Sequence, residues 1–190
     1  PDRSGVVPLA IGLGLHGAAG MAMVSAAGNP QIEGLIFLPI MGGSILGVGS
    51  SSLLTWKQEE FTLPQAIWVN TTGLWTLYEL GLAALSLSTG EENETLERVG
   101  LGLAFLAQVG GIAFGWSTRD TLGKTWGQQL YMDASLVMGS LAGVGAGLLE
   151  SSPDENHMAA FALGGSLAGL VLSGTLGRSL EFRGADAFQT

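Results

Sequence analysis

Apolar residues fall along this chain in six long runs, roughly 7–28, 32–56, 63–88, 96–118, 126–149 and 153–176, with short polar gaps between them. At 1.5 Å per helical residue, runs of this length exceed a hydrocarbon core of roughly 30 Å. Helix start signals stand at the heads of several. Thr62-Leu63-Pro64-Gln65, Thr125-Trp126-Gly127-Gln128 and Ser152-Pro153-Asp154-Glu155 read as capping boxes. Pro64 then falls at the second helical position and Pro153 at the first, where proline is favoured. Asn29-Pro30 repeats that arrangement, and Asn93 or Thr95 can cap the fourth helix. The pattern predicts an all-α polytopic membrane protein with six Gly-rich transmembrane helices.

Small residues recur within these runs at helical spacing. The stripes are Gly43, Gly47 and Ser51 in the second helix, Gly100, Ala104, Ala107, Gly111 and Gly115 in the fourth, Ser135, Gly139, Gly143 and Gly147 in the fifth, and Gly165, Gly169 and Ser173 in the sixth. Such small-xxx-small faces let helix backbones approach closely. Glycine costs about 1 kcal/mol relative to alanine in a helix interior, so this many in register predicts tight packing against a neighbour.

The runs also repeat one another. Gln65-Ala66-Ile67-Trp68-Val69-Asn70 aligns with Gln128-Gln129-Leu130-Tyr131-Met132-Asp133 at an offset of 63, and Gly42–Gly47 aligns with Gly164–Gly169 at an offset of 122. The expectation is one membrane domain over 1–190, built of three helical hairpins at about 5–57, 62–119 and 125–180, directly repeated.

A β reading competes. Val99, Leu101, Leu103 and Phe105 alternate with Gly100, Gly102 and Ala104, and Asn70-Thr71-Thr72-Gly73 and Gly164-Gly165-Ser166 are turn candidates inside two runs. Twelve short strands would make a transmembrane β-barrel. Aromatics at 7% are few for the girdles that a barrel wants.

Charge adds an orientation. If every run spans, Arg3, Lys57, Arg119, Lys124, Arg178 and Arg183 share a side with both termini, and only Arg98 lies opposite. By the positive-inside rule the termini are on the cytoplasmic-type side, and Gly90 faces away from it. The opposite side carries a net −7, much of it in Glu91-Glu92-Asn93-Glu94, a solvated loop or a docking surface for cations or partners. The chain begins at Pro1 without Met, as a processed product or a piece of something longer would. A signal peptide removed before it would admit the outer membrane.

Composition narrows the chemistry. Glycine accounts for 31 of 190 residues, far above the usual share of about 7%, and charged residues for only 12%. With no Cys, disulfides, thiolate metal sites and a cysteine nucleophile are excluded. A pI near 4.4 without a basic stripe argues against nucleic acid.

Polar residues inside spans are functional candidates by default. They are His16, Asn70, Glu79, Gln108 and Asp133. Glu79 and Asp133 could line a proton or cation path, or simply bond a neighbouring helix, and Asn70 and Asp133 stand at equivalent repeat positions. His16 reads as an interhelical hydrogen bonder. It and His157, without clustered carboxylates, make no metal site. Ser44 and Ser166 lack an activating base. Gly12-x-Gly14-x-x-Gly17 matches a dinucleotide fingerprint in letters but has no preceding strand and no acid about 20 residues on. No catalytic residue, metal or cofactor is expected. The expected function is that of a non-enzymatic membrane protein, a structural or accessory subunit packed through its Gly faces against other membrane chains or copies of itself. The alternatives are a small ion-coupled transporter or channel and an outer-membrane barrel or scaffold.

Overall fold

A computed structural model describes residues 1–28, 37–87, 94–150 and 154–176. They form six helices, α1 (Val6–Gly28), α2 (Phe37–Thr55), α3 (Leu63–Ser86), α4 (Glu94–Thr118), α5 (Trp126–Gly147) and α6 (Glu155–Leu176). Each coincides with one apolar run. There is no strand among the described residues. The β alternative is therefore corrected. The alternating segment from Val99 lies inside α4, and both turn candidates lie inside α3 and α6. Alternation of Gly and Ala with Leu suits a strand in letters, but Gly and Ala carry no β-branched bulk to favour one.

Four helices, α1, α2, α4 and α6, are long and apolar enough to cross a membrane. The shortfall in α3 and α5 traces to particular residues. In α3 they are Gln65, Asn70, Thr71, Thr72, Thr76 and Glu79, and in α5 they are Gln128, Gln129 and Asp133.

The helix starts follow the sequence in two cases and move in a third. At α3 the Gln65 side-chain oxygen accepts the Thr62 backbone N–H at 2.7 Å, one arm of a capping box. At α5 Thr125 is extended (φ −128°, ψ 153°), and its hydroxyl accepts the Gln128 N–H. At α6 the cap is Asp154, whose carboxylate accepts the His157 N–H at 2.8 Å. A carboxylate is the stronger acceptor for a helix N-terminus, so the helix begins two residues later than the Ser152 box implies. Asn29-Pro30, Glu91–Asn93, Ser152-Pro153, Arg178 and Arg183 lie outside the described residues.

The chain divides into two compact units, one of Pro1–Leu77 with Glu92–Arg119, the other of Tyr78–Glu91 with Asp120–Thr190. In the first, α1 packs against α2 and α4. Leu9, Leu13, Phe61, Ala66 and Val69 form its apolar core, with Phe61 stacked on Trp116 at 5.6 Å between ring centroids. The N-terminal segment is strapped to the α2–α3 connection. Gly5 N–H donates to the Phe61 carbonyl, Phe61 N–H to the Asp2 carbonyl, and Leu63 N–H to the Ser4 hydroxyl. A Cβ at Gly5 would overlap the Thr62 carbonyl, so the close approach requires glycine. Hydrogen bonds from the Ser4 backbone and side chain hold the Asp2 carboxyl below the ordinary carboxylate range. In the second unit α5 packs against α6.

Glycine sets both close helix pairs. In the first unit a Cβ on Gly17 would strike the Gly43 carbonyl, one on Gly43 the Gly17 carbonyl, and one on Gly47 the Leu13 carbonyl. In the second, Gly139 and Gly165 oppose each other in the same way, Gly169 meets the Ser135 carbonyl and Gly143 the Phe161 carbonyl. Gly111 and Gly115 of α4 lie against Thr72 and Thr76 of α3. Gly147 is less confined, meeting the flexible Met158 and Phe161 side chains near 3 Å.

Candidate functional site

The first unit assembles a polar cluster from three helices that are far apart in sequence. His16 of α1 stands with Nε2 2.9 Å from the Asn70 backbone carbonyl of α3 and Nδ1 2.8 Å from the Gln108 amide nitrogen of α4. A carbonyl only accepts, so Nε2 carries the hydrogen. Nδ1 then accepts from the Gln108 amide, and the ring is the neutral Nε2–H tautomer. The Asn70 side-chain amide donates to the Pro8 carbonyl at 3.2 Å, and its Oδ1 is buried without a hydrogen-bond partner among the described residues. His16 and Gln108 are buried, Gln108 to 2% exposure.

Glycines make the room for these side chains. A Cβ at Gly12 would overlap the Asn70 amide, one at Gly73 would press on the His16 ring, and one at Gly20 would crowd Phe105 and Gln108. Gly14 faces Val48 of α2, and Gly17 faces Gly43. The letters of the dinucleotide fingerprint are therefore helix-interior glycines turned to α2 and α3, with no phosphate cradle between them.

The second unit has polar contacts of its own. Ser166 of α6, fully buried, places Oγ 2.8 Å from Glu79 Oε2 and 2.8 Å from its own helix's Leu163 carbonyl. Glu79 Oε1 is buried and lacks a hydrogen-bond partner among the described residues. Beside Glu79 in the chain, Tyr78 places Oη 2.6 Å from Ser140 Oγ of α5. Asp133 accepts from Gln129 on its own helix at 2.6 Å. Glu79 thus meets Ser166 of α6, and Asp133 meets Gln129 of α5. Asn70, the proposed repeat counterpart of Asp133, reaches α1.

Three participants carried little signal in the sequence. Ser166 sits in a Gly-Gly-Ser triplet that reads as packing, and Ser140 is one serine among many. Gln129, 1% exposed, stands beside the cap residue Gln128; its one cue is the spacing of four to Asp133, a helix-surface neighbour. The remaining hydroxyls within helices mostly bond back along the chain. Ser44, Thr55, Thr72, Thr76 and Thr175 each donate to a carbonyl three or four residues earlier, which satisfies a hydroxyl without any partner helix.

Among the described residues no three His, Asp or Glu side chains gather as metal ligands would. His157 Nδ1 lies 3.7 Å from Glu150 and 3.6 Å from Asp154, beyond hydrogen-bond distance and exposed. Comparison with protein-family models, with curated proteins and with solved structures gives no match.

Proposed function

We propose that the chain is an integral membrane protein of six spanning helices, three glycine-packed hairpins in tandem, acting as a non-enzymatic structural or accessory subunit of a membrane assembly. The observation that carries this reading is the inverted distribution of side chains. Buried positions include His16, Gln108, Gln129, Ser140, Ser166 and Ser173, while Ile11, Leu15, Ile45, Leu53, Leu106 and Leu149 are among many large apolar side chains left exposed. In water so many exposed large apolar side chains are a liability; in lipid they are the solvent-matched side. The polar helices α3 and α5 fit the same picture. Their polar residues Gln65, Thr72 and Gln129 are buried, so a spanning helix there need not be apolar all round.

Aromatics support the orientation. Trp56 follows α2, Trp116 is in the last turn of α4, Trp126 opens α5 and Trp68 lies in the second turn of α3. All four belong to the side that the charge bias assigns to the termini; Trp68 is buried, while Trp56 and Trp126 are exposed as residues of an interfacial belt would be. The assembly role draws on glycines that no described neighbour uses. A Cβ at Gly42, Gly49, Gly102, Gly110, Gly145 or Gly164 meets open space, which leaves small surfaces for other chains or for copies of this one. The topology is tested with cysteine reporters at Lys57 and Leu87 in sealed vesicles. Labelling from opposite faces is expected, and labelling of both from one face removes the six-span reading.

A second reading, proton or cation transport, has one observation in its favour, the buried Oε1 of Glu79, which has no hydrogen-bond partner among the described residues. Glu79→Gln separates the two. Gln keeps an oxygen for Ser166, so thermal stability in detergent should move by less than about 1 kcal/mol, the net worth of one typical hydrogen bond. For a structural subunit nothing else changes. For a transporter, ion flux into vesicles disappears while the fold survives. Unfolding of the Gln variant would contradict both, since it would require a buried ion pair at Glu79.

A further inference from the structure

We propose that the groove between α2 and α4 is a seat for one anionic phospholipid, its headgroup at Lys57 and an acyl chain running inward over α1. The proposal rests on the membrane reading above. Two clefts of the first unit meet at Leu54. The outer one, of about 490 Å³, is lined by Leu53, Leu54, Trp56, Lys57, Gln58 and Trp116. The inner one, of about 270 Å³, continues from Leu54 along both helices. Its α2 wall is Leu46, Ser50 and Leu54, and its α4 wall is Phe105, Val109 and Ile112. Both walls follow the spacing of three or four that puts residues on one helix face. Glycines of the α1–α2 contact, Gly17, Gly43 and Gly47, lie at its floor.

Length and charge select the occupant. From Leu54 to Gly43, and likewise from Trp116 to Phe105, the groove runs over twelve residues, eleven steps or about 16 Å at helical rise. That matches one leaflet, half of a hydrocarbon core of roughly 30 Å. At the outer end the exposed Lys57 shares the cleft with two indoles, and Arg119 lies 4.1 Å from the centroid of one of them, Trp116, a combination that suits a phosphate at the membrane interface. The inner end is apolar except for His16 and Gln108, which already bond each other. A cleft of similar size in the second unit, about 500 Å³, has Asp154 and Glu155 on its rim and so repels the same headgroup.

The test uses the full chain, delipidated in detergent and offered phosphatidylglycerol and phosphatidylcholine of identical acyl chains in equal amounts. Retained lipid is counted by native mass spectrometry. Phosphatidylglycerol should be retained about fivefold over phosphatidylcholine, the preference that one basic residue near a membrane surface supplies. Lys57→Gln should lower the ratio, and Lys124→Gln should leave it unchanged. Ser50→Phe, which fills the groove, should lower retention of both lipids. Equal retention by the unaltered chain overturns the proposal. So does equal loss from the two lysine variants, which would mean diffuse attraction, and so does retention of neither lipid, as when a second protein chain fills the groove. Carbonate extraction separates the two levels. A chain recovered in the soluble fraction overturns the membrane reading and the lipid seat together, whereas a membrane-retained chain without lipid preference overturns the seat alone.

Discussion

Gly143→Leu should cost the protein far more stability than Gly145→Leu, two residues along the same helix. At Gly143 a Cβ would overlap the Phe161 carbonyl oxygen and crowd the Ala162 backbone; at Gly145 it would meet nothing. The obstacle at Gly143 is main chain, which has no rotamer to change, so α5 and α6 must separate. Overpacking costs typically about 1–3 kcal/mol and occasionally more, and the upper part of that range or beyond is expected here. The separation would also disturb the neighbouring backbone contacts at Gly139–Gly165 and Gly169–Ser135. Leu141→Ala, at a position 59% exposed, should stay within about 0.5 kcal/mol, as exposed substitutions usually do. The check is the thermal midpoint of the detergent-solubilised variants by far-UV circular dichroism. Equal midpoints for Gly143→Leu and Gly145→Leu would mean that the small-residue face is not a packed interface.

The helices were legible because each is written as an apolar run, and α3 and α5 also carry a start signal that the structure uses. The runs bounded α3 and α5 to within a few residues, and the hydroxyls of Thr62 and Thr125 marked where each begins. What the runs overstated was uniformity. Asn70, Glu79 and Asp133 lower the apolarity of α3 and α5 enough that only the other four helices meet the length and composition of a span by themselves. The glycine faces were legible in part. Gly43, Gly139 and Gly165 stand in stripes of small residues at helical spacing, but Gly17, the partner of Gly43, belongs to no such stripe. Both opposing pairs are displaced by the same 122 residues, as are Gly47 with Leu13 and Gly169 with Ser135. That agreement of contacts between α1–α2 and α5–α6 is not visible in letter matching, and only three-dimensional pairing exposes it. The polar cluster was the least legible. His16, Asn70 and Gln108 each stand out as a polar residue in an apolar run, but their separations of 54 and 92 residues follow no local rule. Which of the five polar residues meet is decided by how the helices pack.

The energetic meaning of that cluster is open to a double-mutant cycle on His16 and Gln108. His16→Leu removes the acceptor of the Gln108 amide and leaves that amide 2% exposed, in a cleft walled by Phe105, Val109 and Ile112. A stranded buried donor costs about 1–3 kcal/mol. Gln108→Leu strands the ring nitrogen in turn, at a similar cost. Together, His16→Leu with Gln108→Leu replaces both partners by apolar groups, and such replacements approach neutrality when the shape is kept. The double variant should therefore be more stable than the sum of the single losses predicts, with a coupling energy of about 1–2 kcal/mol, inside the range for residues in one hydrogen-bond network. Asn70 supplies the control. Its backbone carbonyl, the other partner of His16, survives any side-chain change, so Asn70→Ala should couple to His16→Leu only weakly. Thermal or denaturant midpoints in detergent for the single and double variants complete the measurement. Strict additivity between His16 and Gln108 would show that the two side chains are solvated independently, by water entering the groove between α2 and α4, and that the cluster does not tie α1 to α4.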